Sequence, residues 1–151
     1  MDLNGKILTT EQLNLSIEPL KGKSYFSVPV GELLKGRDDR NAVLAAELKT
    51  GGKTISTNEY FFKTFKEMRF APPEITAEVI PSEKGFKITL SSEKVAKAVF
   101  LSGLNEEGVF EDNYFNLIPG KKKEIEFRAN GKMQTDEFRR KLRFRSLVDA
   151  F

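Results

Sequence analysis

The stretch "EITAEVIPSEKGFKITL", Glu74 to Leu90, contains two runs in which apolar and polar residues alternate. The alternating apolar residues are Ile75, Ala77 and Val79 in the first run and Phe86, Ile88 and Leu90 in the second. Successive side chains of a strand point to opposite faces, so each run predicts a strand with one buried face. The residues Ser82 to Gly85 are typical of a turn. The stretch therefore predicts a β-hairpin.

The same pattern continues towards the C-terminus. The runs "AVFLSGL", "VFEDNYFNLI" and "KEIEFRA" are separated by the turn "NEEG" and by Pro119-Gly120, and Ile125 and Phe127 of the last run are predicted to face inward. In "TDEFRRKLRFRSLV", Thr135 is predicted to cap a short helix through Phe138, and a final strand follows. About seven short strands at this spacing are typical of an antiparallel immunoglobulin-like sandwich.

Period-two alternation also dominates the N-terminal half. It predicts strands in "LNLSI" and "SYFSVPV", the second being an edge strand or ending at Pro29. It also predicts a hairpin in "NAVLAAELKTGGKTISTNEYFF" whose turn is Thr50 to Lys53. The segment "GELLKGRDDRN" is predicted to be a loop. Because Pro72 and Pro73 donate no ladder hydrogen bond, they mark a linker spanning Ala71 to Glu74. We predict an all-β chain of two tandem immunoglobulin-like sandwiches, 1–71 and 72–151, the first one partial.

Composition excludes several function classes. The 151 residues include no cysteine and no histidine, which removes Ser-His-Asp and Cys-His catalysis, the usual zinc sites and any disulfide framework. The net charge of +3 is small and its cations are interleaved with acids, so we predict no nucleic-acid partner. No apolar run approaches the ~20 residues that cross a bilayer, so we predict no membrane span. The N-terminus lacks the pattern of a signal peptide, and we favour a piece of a longer chain.

The segment "EDNYFNLIPG", Glu111 to Gly120, combines acids, amides and aromatic rings. Asp112 and Asn113 have side-chain acceptors that tie down loose backbone amides, and Tyr114 and Phe115 are expected to point to opposite sides of a strand. We therefore interpret the segment as a folding motif. The alternative is a carbohydrate or calcium site at Asp112, Asn113 and Tyr114, although calcium requires about six to eight oxygen ligands.

Five basic residues near the C-terminus are a second candidate, as an anion site: Arg139, Arg140, Lys141, Arg143 and Arg145. We favour the alternative that their long stems cover the outer face of a strand. The adjacent acids Asp38-Asp39 and Glu106-Glu107 are expected to be solubility residues rather than a catalytic pair, because adjacent residues of a strand face opposite ways. We predict no catalytic residue, no metal and no cofactor.

Several stretches resemble the C-terminal immunoglobulin-like domains of glycoside hydrolase family 2 enzymes of the β-mannosidase type. In the second half these are "VFLSGLNEEGVFEDNYFNLIPGKKKEIEF" and "LRFRSL", in which D-N-Y-F leads to a Leu-x-Pro-Gly turn and a Ser-Leu strand ends the domain. In the first half, "DLNGKIL", "AELKTGGKTISTNEYFF" and "KEMRFAPPEI" are similar to the preceding sandwich domain. That domain has additional strands before the position of Asp2, so the resemblance implies a first domain that is truncated.

The resemblance implies a parent enzyme that hydrolyses terminal β-mannosides with paired glutamates in a (β/α)₈ barrel, and no part of this chain resembles that barrel. It therefore implies a non-catalytic accessory region whose partner is the remainder of the parent glycosidase. A β-galactosidase or glucuronidase parent is the alternative, because accessory domains record ancestry better than substrate. The compartment is undecided: periplasmic or secreted for a bacterial parent, lysosomal for a eukaryotic one.

A carbohydrate-binding module is the hypothesis from a different class. Sugar-binding platforms present flat aromatic rings, tryptophan above all, and the chain has no tryptophan, three tyrosines and thirteen phenylalanines. The phenylalanines suit two small cores. The residues expected to contact a sugar, if one binds, are Tyr60, Asp112 and Tyr114.

Overall fold

The computed structural model describes residues 1–104 and 106–150, and the chain divides into two compact units. The first unit contains Met1–Asp2 and Lys6–Arg69, and the second contains Leu3–Gly5 and Phe70–Phe151. Strands in both units are antiparallel, which confirms the all-β class. In the described part of the chain, no helix is both long enough and apolar enough to cross a membrane.

The first unit contains a single two-stranded sheet, formed by β1 (Val43–Thr50) and β2 (Lys53–Phe61). The strands are joined at Gly51 and Gly52, whose φ angles of +54° and +78° lie in the left-handed region that glycine adopts without strain, so the predicted hairpin is confirmed. A short helix α1 (Val30–Leu34) and a 3-10 helix (Asp39–Asn41) precede the sheet.

Two predictions for this unit are wrong. The segments "LNLSI" and "SYFSVPV" form no strand, and their apolar side chains include Leu13, Leu15 and Ile17, all exposed. Alternation makes a strand only where a neighbouring strand pairs with it through backbone hydrogen bonds, and among residues 1–104 and 106–150 no strand pairs with these segments. The predicted loop from Gly31 to Asn41 instead contains both helical turns, α1 being held by the buried Leu34.

We expect the first unit to exchange its backbone amide hydrogens faster than the second. Its buried apolar side chains are Leu34, Ala42, Val43 and Met68, whereas the second unit has a continuous core. Local opening is easiest where few apolar contacts are lost. Hydrogen exchange followed by NMR should show β1 and β2 amides protected less than those of β4 (Gly85–Ser92) and β8 (Lys123–Ala129). Equal protection of the two sets would contradict this prediction.

The second unit is a sandwich of two antiparallel sheets. The four-stranded sheet has the order β3 (Ile75–Ser82), β4, β8 and β6 (Gly108–Phe110). The three-stranded sheet has the order β7 (Phe115–Leu117), β5 (Ala96–Ser102) and β9 (Arg143–Arg145). The hairpin predicted from Glu74 to Leu90 is present as β3 and β4, with Ser82 paired to Gly85. In the predicted turn "NEEG", Asn105 lies outside the described residues.

The core between the two sheets is built from alternate residues of their strands. Fully buried members include Ile88 and Leu90 of β4 and Phe127 of β8. Helix α2 (Thr135–Lys141) adds Phe138 to this core. Strand β9 follows it, so the predicted short helix and the predicted strand after it are both present. Thr135 itself is not the cap: it is the first helical residue, and Gln134 takes the cap position without a side-chain hydrogen bond.

Strand β5 carries one residue more than its partner. Ala96 pairs with Leu117 and Val99 pairs with Phe115, so three steps along β5 oppose two along β7. The extra residue bends the backbone at Ala98, where φ is +51°. The Ala98 N–H donates to Oδ1 of Asn116 at 3.2 Å, which replaces the ladder hydrogen bond lost there. Beyond this bulge Val99 and Leu101 face the core, and Phe100 faces outward.

Candidate functional site

The corner from Asp112 to Tyr114 is fixed by side-chain hydrogen bonds to the backbone. Oδ1 of Asn113 accepts from the Leu101 N–H at 2.6 Å, and Nδ2 of Asn113 donates to the Leu101 carbonyl at 2.9 Å. Oδ1 of Asp112 accepts from the Asn113 N–H at 2.8 Å. The Asn113 amide thus acts like a strand residue pairing with β5. The corner is the folding motif that the sequence predicted.

The carboxylate of Asp112 also holds Lys123 of β8. Its Oδ2 lies 2.9 Å from the Lys123 ammonium, and both side chains are partly exposed. The hydrogen bond from Lys123 is the main cause that lowers the pKa of Asp112, and the charge of Lys123 and the Asn113 N–H lower it further. Lys123 also lies over the Phe115 ring, 5.4 Å from its centroid. Asp112 therefore remains an anion with its charge locally balanced.

Tyr114 is the exposed residue of the corner. Its ring is 68% exposed and stacks on Phe100 of β5, with centroids 4.9 Å apart and planes 23° apart. Its backbone φ is +61°, in the left-handed region that bulky residues rarely occupy. The next residue, Phe115, packs against the core, so the two rings point to opposite sides as predicted. The corner presents the Tyr114 ring to solvent, and the half-buried Phe100 ring lies against it.

Tyr60, the third candidate, lies in the first unit on β2. It is 56% exposed, pairs with Leu44 of β1 and meets Phe62 edge-on at 5.2 Å between centroids. The structure therefore brings Asp112 and Tyr114 together in one unit and places Tyr60 in the other.

Two of the adjacent acids, Asp38 and Glu107, have structural partners. Asp38 accepts from the Arg40 backbone and side chain, and Glu107 accepts from Lys141 at 2.6 Å. These hydrogen bonds are the main causes that lower the pKa of each carboxyl. A lowered pKa keeps a carboxyl ionised, the opposite of what a glycosidase acid requires. Among the described residues, no cluster of three or more potential ligand side chains is arranged to hold a metal ion.

The basic residues of the C-terminal segment separate into two groups. Arg139 donates to the Val79 carbonyl at 2.8 Å, and Lys141 is paired with Glu107 and Glu137, so both serve the fold. Arg143 and Arg145 lie on β9 opposite Ser102 and Phe100. Phe100 could not be recognised as an outward residue from the sequence, because the bulge at Ala98 turns it outward and the alternation of apolar and polar residues does not reveal that bulge.

The antiparallel sandwich and its D-N-Y-F corner define an immunoglobulin-like domain. Residues 70–150 match the family model of an Ig-fold domain of mannosidases, and residues 1–67 match that of the mannosidase Ig/CBM-like domain. The chain belongs to this family, the C-terminal immunoglobulin-like domains of glycoside hydrolase family 2 mannosidases.

Two individual proteins are similar to it. Beta-mannosidase A of Neosartorya fischeri is 24% identical over 163 aligned positions, which cover 99% of this chain and 17% of that protein. The crystal structure of a beta-D-mannosidase from Dictyoglomus thermophilum superposes with a TM-score of 0.65 at 24% identity, over 76% of this chain and 14% of that one. The second likeness shows the fold. The chain thus spans less than a fifth of either relative.

Replacing Asn113 by alanine is expected to lower the free energy of unfolding of the second unit by about 2–3 kcal/mol. The change leaves the N–H and carbonyl of fully buried Leu101 without the partners described above, and an unsatisfied buried polar group costs about 1–3 kcal/mol. Urea unfolding measures the loss. Asn113→Asp is the matched control. Its carboxylate still accepts from the Leu101 N–H, but it has no N–H to donate to the Leu101 carbonyl. A neutral Asn113→Ala substitution would contradict the assigned role.

The stability contributed by Asp112 is expected to depend on pH. Because its pKa is lowered in the fold, its contribution is complete above the ordinary aspartate pKa of about 3.9 and is lost as the pH falls through the lowered value. The difference in stability between the wild type and Asp112→Asn should therefore shrink below about pH 4, and it should remain under about 1 kcal/mol because the pair is partly exposed. Urea unfolding across pH measures this. In Lys123→Gln the difference should be smaller and its loss should be complete at a higher pH, because the pKa of Asp112 in the fold is lowered less. An unchanged profile there would contradict the assigned cause.

Proposed function

We propose that this chain is a non-catalytic accessory region of a β-mannosidase-type glycosidase, which stabilises or flanks the catalytic domain. The observation that carries the proposal is that the two mannosidase domain models cover 1–67 and 70–150 of a chain that aligns with only 17% of a beta-mannosidase. The reaction of such a parent is the hydrolysis of terminal β-mannosides. We retain 1–71 and 72–151 as the proposed domain boundaries.

The side chains of the second unit support this role. The apolar positions fill a core, and the hydrogen-bonded carboxylates Glu74, Glu107 and Asp112 have lowered pKa values. Each of these carboxylates is bound to a lysine: Lys94, Lys141 and Lys123 in turn. Retaining glycosidases instead hold two carboxyls about 5 Å apart beside the sugar, one with a raised pKa.

A hydrolysis assay on the purified chain tests the absence of catalysis. Fluorogenic β-mannoside, β-galactoside and β-glucuronide are expected to remain uncleaved. Cleavage that is lost in Asp112→Asn or Glu107→Gln would overturn the proposal, because it would assign catalysis to this chain.

A chimera tests the stabilising role. In the Dictyoglomus thermophilum enzyme, the matching region is replaced by this chain and compared with simple deletion of that region. The chimera is expected to unfold at a higher temperature than the deleted enzyme. A chimera carrying Asn113→Ala is the matched control and should lose part of this gain. A deleted enzyme as stable as the chimera would contradict the role.

The exposed aromatic pair of the second unit favours one further candidate, binding of a sugar at Tyr114. Flat aromatic rings pack against the C–H face of pyranoses, and Tyr114 is 68% exposed on a stack with Phe100. NMR titration with methyl β-mannoside, galactoside and glucuronide should shift Asp112 and Tyr114, and Tyr60 if the first unit takes part. The absence of any shift at millimolar sugar would contradict this candidate and leave the accessory role.

A further inference from the structure

The outward face of the three-stranded sheet has two arginines beside its aromatic pair. Register places Arg145 directly opposite Phe100 and Arg143 opposite Ser102. Directly paired residues of antiparallel strands share a face and have Cβ atoms about 5 Å apart. Tyr114, which precedes β7, stacks on Phe100, and Phe100 pairs with Arg145. The three side chains therefore form one row on this face, which we call the Tyr114–Arg145 row.

The guanidinium groups of Arg145, at one end of the row, and of its neighbour Arg143 have no acidic partner among the described residues. Arg143 donates to the backbone carbonyls of Arg140 and Leu142, at 2.5 and 3.0 Å. Arg145 is exposed, and no ion pair is formed with it within the described part of the chain. The carboxylate of Asp112 in the corner is already bound by Lys123. The positive charge of the row is thus available to an anion.

The backbone at the other end of the row is strained. A left-handed conformation is unfavourable for a non-glycine residue, and here Tyr114 adopts it with φ of +61°. The hydrogen bonds of Asp112 and Asn113 hold this conformation, so the fold orders a tyrosine whose ring gains little burial. Strained residues of this kind cluster where ligands bind.

We propose that the Tyr114–Arg145 row binds an acidic saccharide, a glycan carrying uronic-acid carboxylates. The exposed Tyr114 ring packs against a pyranose, and the guanidinium of Arg145 donates two parallel N–H groups to a carboxylate. Arg143 adds positive charge for the next sugar along the strand. This inference rests on the second candidate function, sugar binding at Tyr114, and names the sugar class. An acidic peptide offers the carboxylate without the pyranose face, so the exposed ring favours the glycan.

NMR titration and calorimetry of the full chain with trigalacturonate test the proposal, with mannotriose and a glutamate hexapeptide as comparisons. Trigalacturonate is expected to shift Tyr114, Phe100 and Arg145 saturably and to bind more tightly than either comparison. Arg145→Gln is expected to weaken binding about tenfold, the effect of one charge-assisted hydrogen bond. Tyr114→Ala should weaken it similarly. Arg128→Gln, an exposed arginine of β8, is the matched control and should bind as the wild type does.

Each other outcome overturns the inference in a distinguishable way. Binding of mannotriose alone would retain sugar binding and reject the acidic class. Equal binding of the glutamate hexapeptide, or equal losses in Arg145→Gln and Arg128→Gln, would show nonspecific charge attraction. No binding of any of the three would reject both the inference and the sugar-binding candidate, while leaving the accessory role intact. Amide spectra of each variant check that it retains the fold.

Discussion

Replacing Phe138 by alanine is expected to lower the free energy of unfolding of the second unit by about 4 kcal/mol. The side chain is fully buried between two other rings: it stacks on Phe86 at 4.2 Å and meets Phe127 at 5.0 Å between centroids. Truncating a buried phenylalanine costs about 3–5 kcal/mol, because apolar area is lost and a cavity remains. Hydrogen exchange of β4 and β8 amides measures the change in this unit separately from the first.

The control for this substitution is Phe144→Ala. Phe144 lies on β9 and is 36% exposed. Its replacement by alanine is therefore expected to lower the free energy of unfolding by about 1 kcal/mol. Equal losses at the two positions would show that helix α2 does not complete the core. A loss at Phe138 of under about 1 kcal/mol would contradict the packing described here.

Replacing Gly103 by alanine is expected to lower the free energy of unfolding of the second unit by about 3–4 kcal/mol, nearly as much as Phe138→Ala. Gly103 has a φ of +91°, and a Cβ built there overlaps the backbone carbonyl oxygen of Lys141. A left-handed conformation costs a non-glycine residue roughly 1–2 kcal/mol, and overpacking against backbone adds about 1–3 kcal/mol. Because the obstacle is backbone at the end of α2, no rotamer change relieves it. Thermal and urea unfolding give the loss.

Gly120→Ala separates the two costs. Gly120 has a φ of +79° but no atom within 4 Å of a built Cβ, so only the conformational cost remains there. We expect a loss of about 1 kcal/mol at Gly120, well below that at Gly103. If both substitutions cost the same, the close approach of Gly103 to Lys141 does not exist in solution.

Local chemistry explains what the sequence predicted correctly. The Gly51-Gly52 pair specifies a turn by itself, because few other residues adopt two successive positive φ angles. The four-residue spacing of Phe138 and Leu142 predicted a short helix, and both residues lie in the core. The role of Asn113 followed from the capacity of a short amide side chain to bond nearby backbone.

The failures depend on partners distant in the sequence. Leu13, Leu15 and Ile17 alternate as a strand would, but a strand requires a neighbour, and alternation does not say whether one is present. Helix α1 has five residues, too few to form without tertiary contacts, so its sequence carried little helical signal. Of the candidate site, Asp112 and Tyr114 were identified from the sequence, and Arg145 was named among the basic residues, whereas Phe100 and the placement of Arg145 opposite it required the pairing register.

The bulge at Ala98 has a consequence for comparing this chain with its relatives. Removing the extra residue before Val99 would leave two steps of β5 opposite two of β7, so Ala96 and Val99 would keep their pairings and their inward positions and Phe100 would stay outward. A homologue with a one-residue gap here would therefore retain both the sandwich and the outward position of Phe100. Such a gap in an alignment of the family does not by itself show that a member has lost this surface.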